Sequence, residues 1–166
     1  MTPDPHPVAA EALDALVASG ASLAVAESLT GGRVAAALTG VPGASRVFRG
    51  GVVSYATEVK VDVLGVPPSV VASDGVVSAA CAEAMAAGAA RALGASHAVA
   101  TTGVAGPDEQ EGKAVGTVFV GIATPAGVRS ERLSLAGAGD RSGIQAATVE
   151  AALRVLLAAV REDRTS

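Results

Sequence analysis

Residues 22–55 read SLAVAESLTGGRVAAALTGVPGASRVFRGGVVSY, and this stretch decides the fold because a strand, a helix and a second strand follow one another in it. The apolar run at residues 22–27 ends in a glutamate and is typical of a short buried strand. A glycine-rich turn at residues 30–32 leads into a helix that ends at about Leu38. Residues 47–55 form the second predicted strand, so the alternation of strand and helix predicts an α/β fold.

The same alternation continues on both sides of this stretch. On its amino-terminal side, apolar residues at helical spacing predict a helix that ends at Gly20. On its carboxyl-terminal side, we predict short helices around Lys60 and after Pro68, a helix over residues 78–93, strands over residues 97–101, 116–124 and 127–134, and a helix over residues 140–161. A turn at residues 124–127 joins the last two strands as an antiparallel hairpin. The predicted architecture is therefore a three-layer α/β/α arrangement around a mixed sheet of about five strands.

The length of 166 residues fits one domain with a substantial core. Residues 1–7 contain three prolines and no apolar pattern, so we predict a flexible tail there and a single domain over residues 8–166. Half of the chain is apolar, but aromatic residues make up only 2 % of it. A core built mostly from alanine and valine requires helices that lie close to the sheet.

The charge and the cysteine and histidine content exclude several classes of function. A net charge of −4 with scattered arginines argues against nucleic-acid binding. No pair of cysteines or histidines has the spacing of metal ligands, and no acidic cluster resembles a cation-binding loop, so we predict no metal site. A single cysteine forms no internal disulfide, and the apolar runs are too short to cross a membrane. These observations predict a cytoplasmic protein that binds neither nucleic acid nor membranes.

Residues 41–60, VPGASRVFRGGVVSYATEVK, hold the strongest candidates for catalysis. They contain a loop serine, the only tyrosine and one of the two lysines of the chain, namely Ser45, Tyr55 and Lys60. A lysine kept neutral by burial can take the proton of a serine, and such a pair can attack an amide. In the alternative interpretation, the serine is a turn residue, the lysine is a surface charge and the tyrosine is an ordinary strand residue.

Other nucleophiles and bases are few. A Ser-His-Asp arrangement would have to rest on His97, because His6 lies in the predicted tail. Cys81 falls on a helical apolar stripe with nothing nearby to stabilise a thiolate, so we interpret it as a core residue rather than a nucleophile. Glu27 ends an apolar strand and is costly to bury alone, so we expect it to cap a loop, to pair with an arginine or to orient the site.

Four glycine-rich segments fall where predicted strands end, at residues 27–32, 43–45, 101–107 and 137–141. In open α/β sheets, ligands bind at the carboxyl ends of strands, where loops and helix starts present N–H groups to anions. We therefore expect a phosphate-bearing ligand, although each glycine pair alone is also typical of a tight turn, and the arginine at position 141 also fits a solvated surface charge. The residues predicted to bind the ligand are Ser28, Thr30, Gly31, Gly32, Thr101, Thr102, Gly103 and Arg141.

Several motifs occur in a fixed order through these segments. They read AESLTGG, VPGAS, FRGGVVSYATEVK, DGVVS, ATTGVAGP and KAVGTV. In this order they resemble the C-terminal domain of the CinA family, which also occurs as a stand-alone nicotinamide-nucleotide amidase of the PncC type. The resemblance covers about residues 8–160. It implies a homo-oligomer that hydrolyses the carboxamide of nicotinamide mononucleotide (NMN) to nicotinate mononucleotide and ammonia, in pyridine-nucleotide recycling, without a metal or organic cofactor.

The resemblance also implies roles for individual residues. It makes Ser45 the nucleophile, Lys60 its base and Tyr55 a hydroxyl that positions or tunes the lysine. Around the substrate it places Ser28, Thr102, Arg141 and Gln145. If Lys60 is a neutral base, neighbouring carboxylates must not raise its proton affinity, and we therefore expect Glu58 and Asp62 to face solvent.

One loop departs from the family pattern. After Pro107 and Asp108 the family has a pair of glycines, whereas this chain has EQEG at residues 109–112, and Ala114 replaces a proline that commonly follows the lysine. Fewer glycines restrict the backbone of this loop, which predicts weaker contact with the ligand. A second hypothesis, from a different class, stays open: the chain is a non-catalytic nucleotide-binding or interaction module associated with competence or DNA damage.

Overall fold

Six helices and five strands make up most of residues 4–165, the part of the chain that this computed structural model describes. In chain order they are α1 Pro7–Ser19, β1 Leu23–Glu27, α2 Arg33–Thr39, β2 Phe48–Val53, α3 Thr57–Asp62, α4 Pro68–Ser73, α5 Ala79–Leu93, β3 His97–Gly103, β4 Thr117–Thr124, β5 Gly127–Ser134 and α6 Arg141–Asp163. Two short 3-10 helices, Ala44–Arg46 and Ala136–Ala138, precede β2 and α6.

The five strands form one sheet in the order β2-β1-β3-β4-β5. Strands β1, β2 and β3 run parallel, whereas β4 is antiparallel to β3 and β5 is antiparallel to β4. The predicted mixed sheet and the predicted hairpin of the last two strands are therefore confirmed. Because the three parallel strands point the same way, their carboxyl ends and the loops after them lie at one edge of the sheet.

The predicted boundaries differ from the structure at a few ends. Strand β2 ends at Val53, so Tyr55 lies in the following loop rather than in the strand. Strand β3 continues to Gly103 because β4 pairs with it up to that residue. Of the predicted tail at residues 1–7, residues 1–3 lie outside the described part. Pro7 is already the first residue of α1, a position where the missing N–H of proline costs the helix nothing.

Side chains of the buried strands alternate between two apolar cores. Leu23 and Val25 of β1 pack with residues of α1 and α6 on one face of the sheet. Ala24 and Ala26 pack with residues of α5 on the other face, where alanine predominates on the strands. These small side chains allow α5 to lie close to the sheet, in agreement with the alanine-rich composition.

Two glycines show how closely α5 approaches its neighbours. A Cβ atom on Gly121 of β4 would lie 2.1 Å from the carbonyl oxygen of Ala82 in α5. A Cβ atom on Gly88 of α5 would lie 1.9 Å from the carbonyl oxygen of Leu64. Both contacts involve backbone atoms, so a side chain at either glycine could be accommodated only if α5 or the backbone segment it contacts moved.

Helix α6 is both long and apolar. Within residues 4–165 it is the one helix that could cross a membrane by length and composition alone. However, 61 % of its most apolar window is buried inside the protein, as in the core helix of a soluble domain. Ile144, Leu153 and Leu156 are fully buried in the core that α6 shares with α1.

We predict that Gly121→Ala lowers the free energy of unfolding by about 1–3 kcal/mol, because overpacking forces the backbone of α5 to shift. Gly137→Ala is the matched control, since a Cβ atom there would meet nothing within 4 Å. Its effect should stay within about 0.5 kcal/mol. Urea unfolding followed by circular dichroism measures both changes, and equal stability of the two variants would contradict the close approach of α5.

Candidate active site

A cavity of about 220 Å³ opens at the carboxyl ends of the parallel strands. Its walls come from the loops after β1, β2 and β3 and from the starts of α3 and α6. Half of the predicted site residues line it, namely Ser28, Tyr55, Lys60, Thr102, Gly103 and Arg141. A cavity therefore exists at the edge of the sheet where the sequence predicts a ligand.

Lys60 of α3 is buried in the wall of this cavity, with only 1 % of its surface exposed. Its Nζ atom donates hydrogen bonds to Ser28 Oγ at 3.0 Å and to the carbonyl oxygen of Ser54 at 2.6 Å. Ser54 follows β2, and its N–H donates to the carbonyl oxygen of Glu27 at 2.8 Å. The lysine thus joins the loop after β1 to the loop after β2, and its nitrogen lies next to a serine hydroxyl.

Burial lowers the pKa of Lys60 below its ordinary value of 10.5, because a charged amine loses its hydration there. Smaller opposing effects come from Cys81 and Glu111. Burial also raises the pKa of the Cys81 thiol to about 11, so the thiol stays protonated near neutral pH, as expected of a core residue. Glu58 and Asp62 are exposed, which agrees with the expectation that they face solvent.

Ser28 is the first residue after β1, and several hydrogen bonds hold its loop. The Ser28 N–H donates to the carbonyl oxygen of Thr101 at 3.0 Å. The preceding residue, Glu27, is 1 % exposed. Its carboxylate accepts hydrogen bonds from the N–H groups of Val34 at 2.8 Å and Ala35 at 3.0 Å in the first turn of α2. Glu27 therefore caps α2 from the end of β1, which fixes the loop between them.

Gln145 of α6 supports the same loop. Its side chain is buried, and its Nε2 atom donates to the carbonyl oxygen of Leu29 at 2.9 Å. Contrary to the prediction, Gln145 does not line the cavity but contacts the loop that carries Ser28. Leu29 does line the cavity, and its N–H donates no hydrogen bond within residues 4–165.

Tyr55 and Arg141 meet at the edge of the cavity. The guanidinium of Arg141 donates to Tyr55 Oη at 2.7 Å and to the carbonyl oxygen of Gly106 at 2.5 Å. Arg141 is the first residue of α6, and the side chain of Asp140 caps that helix by accepting from the N–H of Gly143 at 3.0 Å. The hydroxyl of Tyr55 thus contacts an arginine rather than the lysine that the resemblance assigned to it.

Thr30, Gly31, Gly32 and Thr101 do not line the cavity, although the sequence placed them beside the ligand. The hydroxyls of Thr30 and Thr101 hydrogen-bond to each other at 2.8 Å in the interior. Gly31 and Gly32 form the turn into α2, with φ values of 57° and 99°. Thr102 does line the cavity, because successive residues of a strand point to opposite sides.

Ser45 lies far from Lys60, which corrects its assignment as the nucleophile for that base. It belongs to the 3-10 helix before β2, whereas Lys60 follows the carboxyl end of β2. The 6 residues of β2, with a rise of about 3.3 Å from each residue to the next, put roughly 17 Å between the first and last Cα atoms of the strand. Ser45 is exposed and borders a separate depression beside Phe48. The serine within reach of the lysine is Ser28.

Part of the cavity lining was not predicted from the sequence. Val76 and Val77, from the segment before α5, and Asp108 and Gln110, from the loop after β3, also line the cavity. Valine side chains carry no chemical group that marks a site. The one sequence signal for these valines is the motif DGVVS. It is part of the family resemblance, but the resemblance implies no role for either valine.

Groups that could support other chemistry lie away from the cavity. His97 is buried at the amino end of β3, where its Nε2 lies 2.9 Å from Asp163 Oδ2 and its Nδ1 lies 2.9 Å from Ser96 Oγ. The Ser96 hydroxyl also donates to the carbonyl oxygen of Ser22 at 3.1 Å, which ties it to the backbone before β1. Among residues 4–165, no group of 3 or more histidine, cysteine, aspartate or glutamate side chains could hold a metal ion.

Known proteins match this sequence over most of its length. The family model of the CinA C-terminal domain matches residues 5–160. A CinA-like protein from Frankia casuarinae is 53 % identical over 141 residues, which are 85 % of this chain and 32 % of that protein. A CinA-like protein from Synechocystis sp. is 48 % identical over 125 residues, which are 75 % of this chain and 30 % of that protein. The chain therefore spans about a third of the length of the curated relatives it matches.

Solved structures share the fold. A CinA superfamily protein from Klebsiella pneumoniae superposes with a TM-score of 0.91 at 32 % identity, over 96 % of this chain and 99 % of that one. The competence/damage inducible protein CihA from Agrobacterium tumefaciens gives a TM-score of 0.86 at 35 % identity, over 95 % of this chain and 98 % of that one. The three-layer arrangement around a mixed sheet is thus the fold of this superfamily.

The buried lysine makes the stability of the protein depend on pH. The unfolded chain holds the Lys60 proton up to the ordinary pKa of 10.5, whereas the folded chain releases it at a lower pH. Between those two pKa values the unfolded state binds more protons, so stability rises with pH in that window. Below the window both states are charged, and the full cost of burying the ammonium remains.

We predict that Lys60→Met stabilises the protein by about 1–3 kcal/mol near neutral pH, because it removes the cost of burying an ionisable amine and keeps an apolar chain of similar length. The gain should shrink as the pH rises toward 10.5. Urea unfolding at a series of pH values measures it. Arg154→Met is the control, because an exposed arginine keeps its charge throughout that range. A gain that is the same at every pH would show that folding does not lower the pKa of Lys60.

Proposed function

The chain belongs to the CinA C-terminal domain family, and on that premise we propose that it is an amidohydrolase that converts NMN to nicotinate mononucleotide and ammonia. The observation that carries this proposal is the 3.0 Å contact between the buried Nζ of Lys60 and the hydroxyl of Ser28 in the cavity. A neutral amine beside a serine is a base and nucleophile pair suited to amides. Ser28 replaces Ser45 as the nucleophile, because it is the serine that the lysine reaches.

In the first step, Ser28 Oγ adds to the carboxamide carbon while Lys60 Nζ takes the hydroxyl proton. A neutral amine suits this role, because it can donate a hydrogen bond to the carbonyl oxygen of Ser54 and accept one from Ser28 through its lone pair. The bond to Ser54 fixes the position of Nζ. Burial lowers the pKa of the amine and so increases the fraction that is free to accept the proton.

The tetrahedral intermediate carries a negatively charged oxygen, which a positioned N–H group must stabilise. We assign the Leu29 N–H as the first donor, because it directly follows the nucleophile in the chain and Leu29 lines the cavity. Gln145 binds the carbonyl oxygen of Leu29 and so restrains this part of the loop. One good donor of this kind lowers the barrier by roughly 3 kcal/mol.

Collapse of the intermediate breaks the bond between the carbonyl carbon and the amide nitrogen. Lys60 returns its proton to that nitrogen, so ammonia leaves and the nicotinoyl group remains as an ester on Ser28. Water then attacks the ester with Lys60 again as the base, which releases the carboxylic acid and restores the serine hydroxyl. Both halves of the reaction use the same pair of side chains.

Residues at the edge of the cavity suit the anionic part of a mononucleotide. Arg141 can bind a phosphate through its guanidinium, which contacts Tyr55 Oη at 2.7 Å in the structure. Thr102 supplies a neutral hydroxyl on the adjacent wall. Asp108 also lines the cavity, and its carboxylate can accept hydrogen bonds from ribose hydroxyls.

Homo-oligomeric assembly, a cytoplasmic location and a role in pyridine-nucleotide recycling stay predictions from the family resemblance. The alternative of a non-catalytic nucleotide-binding module would use the same cavity at the carboxyl ends of the strands. The two functions differ in whether bound NMN is turned over, so a measurement of ammonia release separates them.

We predict that Ser28→Ala lowers ammonia release from NMN by at least about a thousandfold, because it removes the nucleophile. Ser45→Ala is the matched control, since it makes the same chemical change at an exposed position beyond the other end of β2. It should keep kcat/KM within about twofold of the unchanged protein. A coupled glutamate dehydrogenase assay measures both.

Two outcomes of this comparison would count against the assignment. Full activity in Ser28→Ala would exclude that serine as the nucleophile, and a loss confined to Ser45→Ala would make Ser45 the nucleophile, as the family resemblance implies. Tight binding of NMN by the unchanged protein without any ammonia release would favour the non-catalytic module.

We also predict that kcat/KM rises with pH and reaches a plateau below pH 10.5, because Lys60 acts in its neutral form and burial lowers its pKa from that value. Lys60→Arg should be inactive at every pH, since a guanidinium keeps its proton. Initial rates of ammonia release over a pH series measure both profiles. Activity that falls as the pH rises through this window would contradict a neutral amine as the base.

A further inference from the structure

The loop that departs from the family pattern folds into a tight hairpin at residues 110–113. The N–H of Gln110 donates to the carbonyl oxygen of Lys113 at 3.2 Å, and the N–H of Lys113 donates back at 2.8 Å. The two central residues, Glu111 and Gly112, have φ values of 53° and 70°. Two-residue turns with positive φ at both positions favour asparagine, aspartate or glycine at the first one. Glutamate there is therefore an unfavourable choice for the turn itself.

The side chain of Glu111 accounts for this choice. Its Oε1 accepts a hydrogen bond from the N–H of Val76 at 3.0 Å, and its Oε2 accepts one from the N–H of Val77 at 3.1 Å. The carboxylate lies directly over the Cα of Gly75, since a Cβ atom there would be 2.4 Å from Oε2. The hairpin thus places a carboxylate on the backbone of a segment 34 and 35 residues earlier in the chain.

Side chains bind all four polar backbone groups of Val76 and Val77. Besides the two N–H groups held by Glu111, the carbonyl oxygen of Val76 accepts from Thr102 Oγ1 at 2.6 Å. The carbonyl oxygen of Val77 accepts from Lys113 Nζ, which also donates to the carbonyl oxygen of the residue at position 74 at 3.3 Å. A segment outside helix and sheet is fixed by such contacts, so its position depends on the side chains that make them.

Both valines line the cavity that also contains Ser28 and Lys60. Val76 is 7 % exposed and Val77 is 1 % exposed, so together they form a buried apolar wall. An apolar wall can pack against the flat face of an aromatic ring. A ring bound there must also place its carboxamide within reach of the Ser28 hydroxyl. The position of this wall therefore affects how a ring-bearing carboxamide sits against the nucleophile.

We propose that Glu111 is a positioning residue that holds the Val76–Val77 wall and thereby sets the affinity of the cavity for the aromatic ring of its substrate. The inference rests on the proposed amidase function for the identity of that substrate. The contact between the Glu111 carboxylate and the two N–H groups does not depend on that function. The sequence EQEG at residues 109–112 predicted weaker contact with the ligand. Instead, the glutamate at position 111 orders one side of the site.

Glu111→Gly tests the proposal, because glycine is favoured in the turn and the change removes the side chain that carries the carboxylate. We expect KM for NMN to rise about tenfold and kcat to stay within about threefold, since Ser28 and Lys60 both remain in place. Added formate, with sodium chloride at the same concentration as a control, should lower KM again by restoring an anion between the two N–H groups. Glu109→Gly, an exposed glutamate of the same loop, should leave KM unchanged.

Hydrogen exchange supplies a readout that does not require turnover. The amides of Val76 and Val77 should exchange at least about tenfold faster in Glu111→Gly than in the unchanged protein or in Glu109→Gly. Unchanged exchange, or faster exchange without any change in KM, would overturn the proposal and leave Glu111 as a turn residue. If the unchanged protein releases no ammonia from NMN, the amidase function fails, and the dissociation constant of NMN from calorimetry replaces KM in the same comparison.

Discussion

The contact of one buried amine with two strand ends determines the arrangement of the candidate site. Lysine is almost never fully buried, because its charge loses hydration, yet Lys60 is 1 % exposed. Its partners, Ser28 Oγ and the carbonyl oxygen of Ser54, follow β1 and β2, so the amine is satisfied only when these two parallel strands are in place. Burial of the amine costs stability, but it also lowers the pKa of Lys60. A base in this position needs such a lowered pKa.

The sequence predicted the fold well because its local patterns agree with the tertiary structure. At the site, the prediction paired the wrong serine with Lys60, namely Ser45 in place of Ser28. Ser45 is close to Lys60 in the sequence, but β2 separates them in space. Ligands bind at the carboxyl ends of parallel strands, and this rule applied to the serines selects Ser28, because that residue directly follows β1 as Ser54 directly follows β2.

Other parts of the site left little trace in the sequence because they are contacts between a side chain and a distant backbone group. The amide of Gln145 binds the Leu29 carbonyl oxygen across a separation of 116 residues, and the carboxylate of Glu111 binds two N–H groups before α5. Any residue type carries the same N–H and C=O groups, so the partner of such a side chain cannot be recognised from its identity. Periodicity shows where a strand or helix lies, but it does not show which side chain holds the loop after it.

Lys60 and Glu111 each break a local preference, and both act on the same cavity. Lys60 is a buried lysine, and Glu111 is a glutamate with a φ of 53° in a turn that favours glycine or asparagine. Each unfavourable choice is offset by specific hydrogen bonds, to Ser28 and Ser54 in one case and to backbone N–H groups in the other. Such exceptions are expected to collect at functional sites, where local stability is given up for a required geometry. Their convergence on one cavity therefore supports that cavity as the functional site, independently of the resemblance to any family.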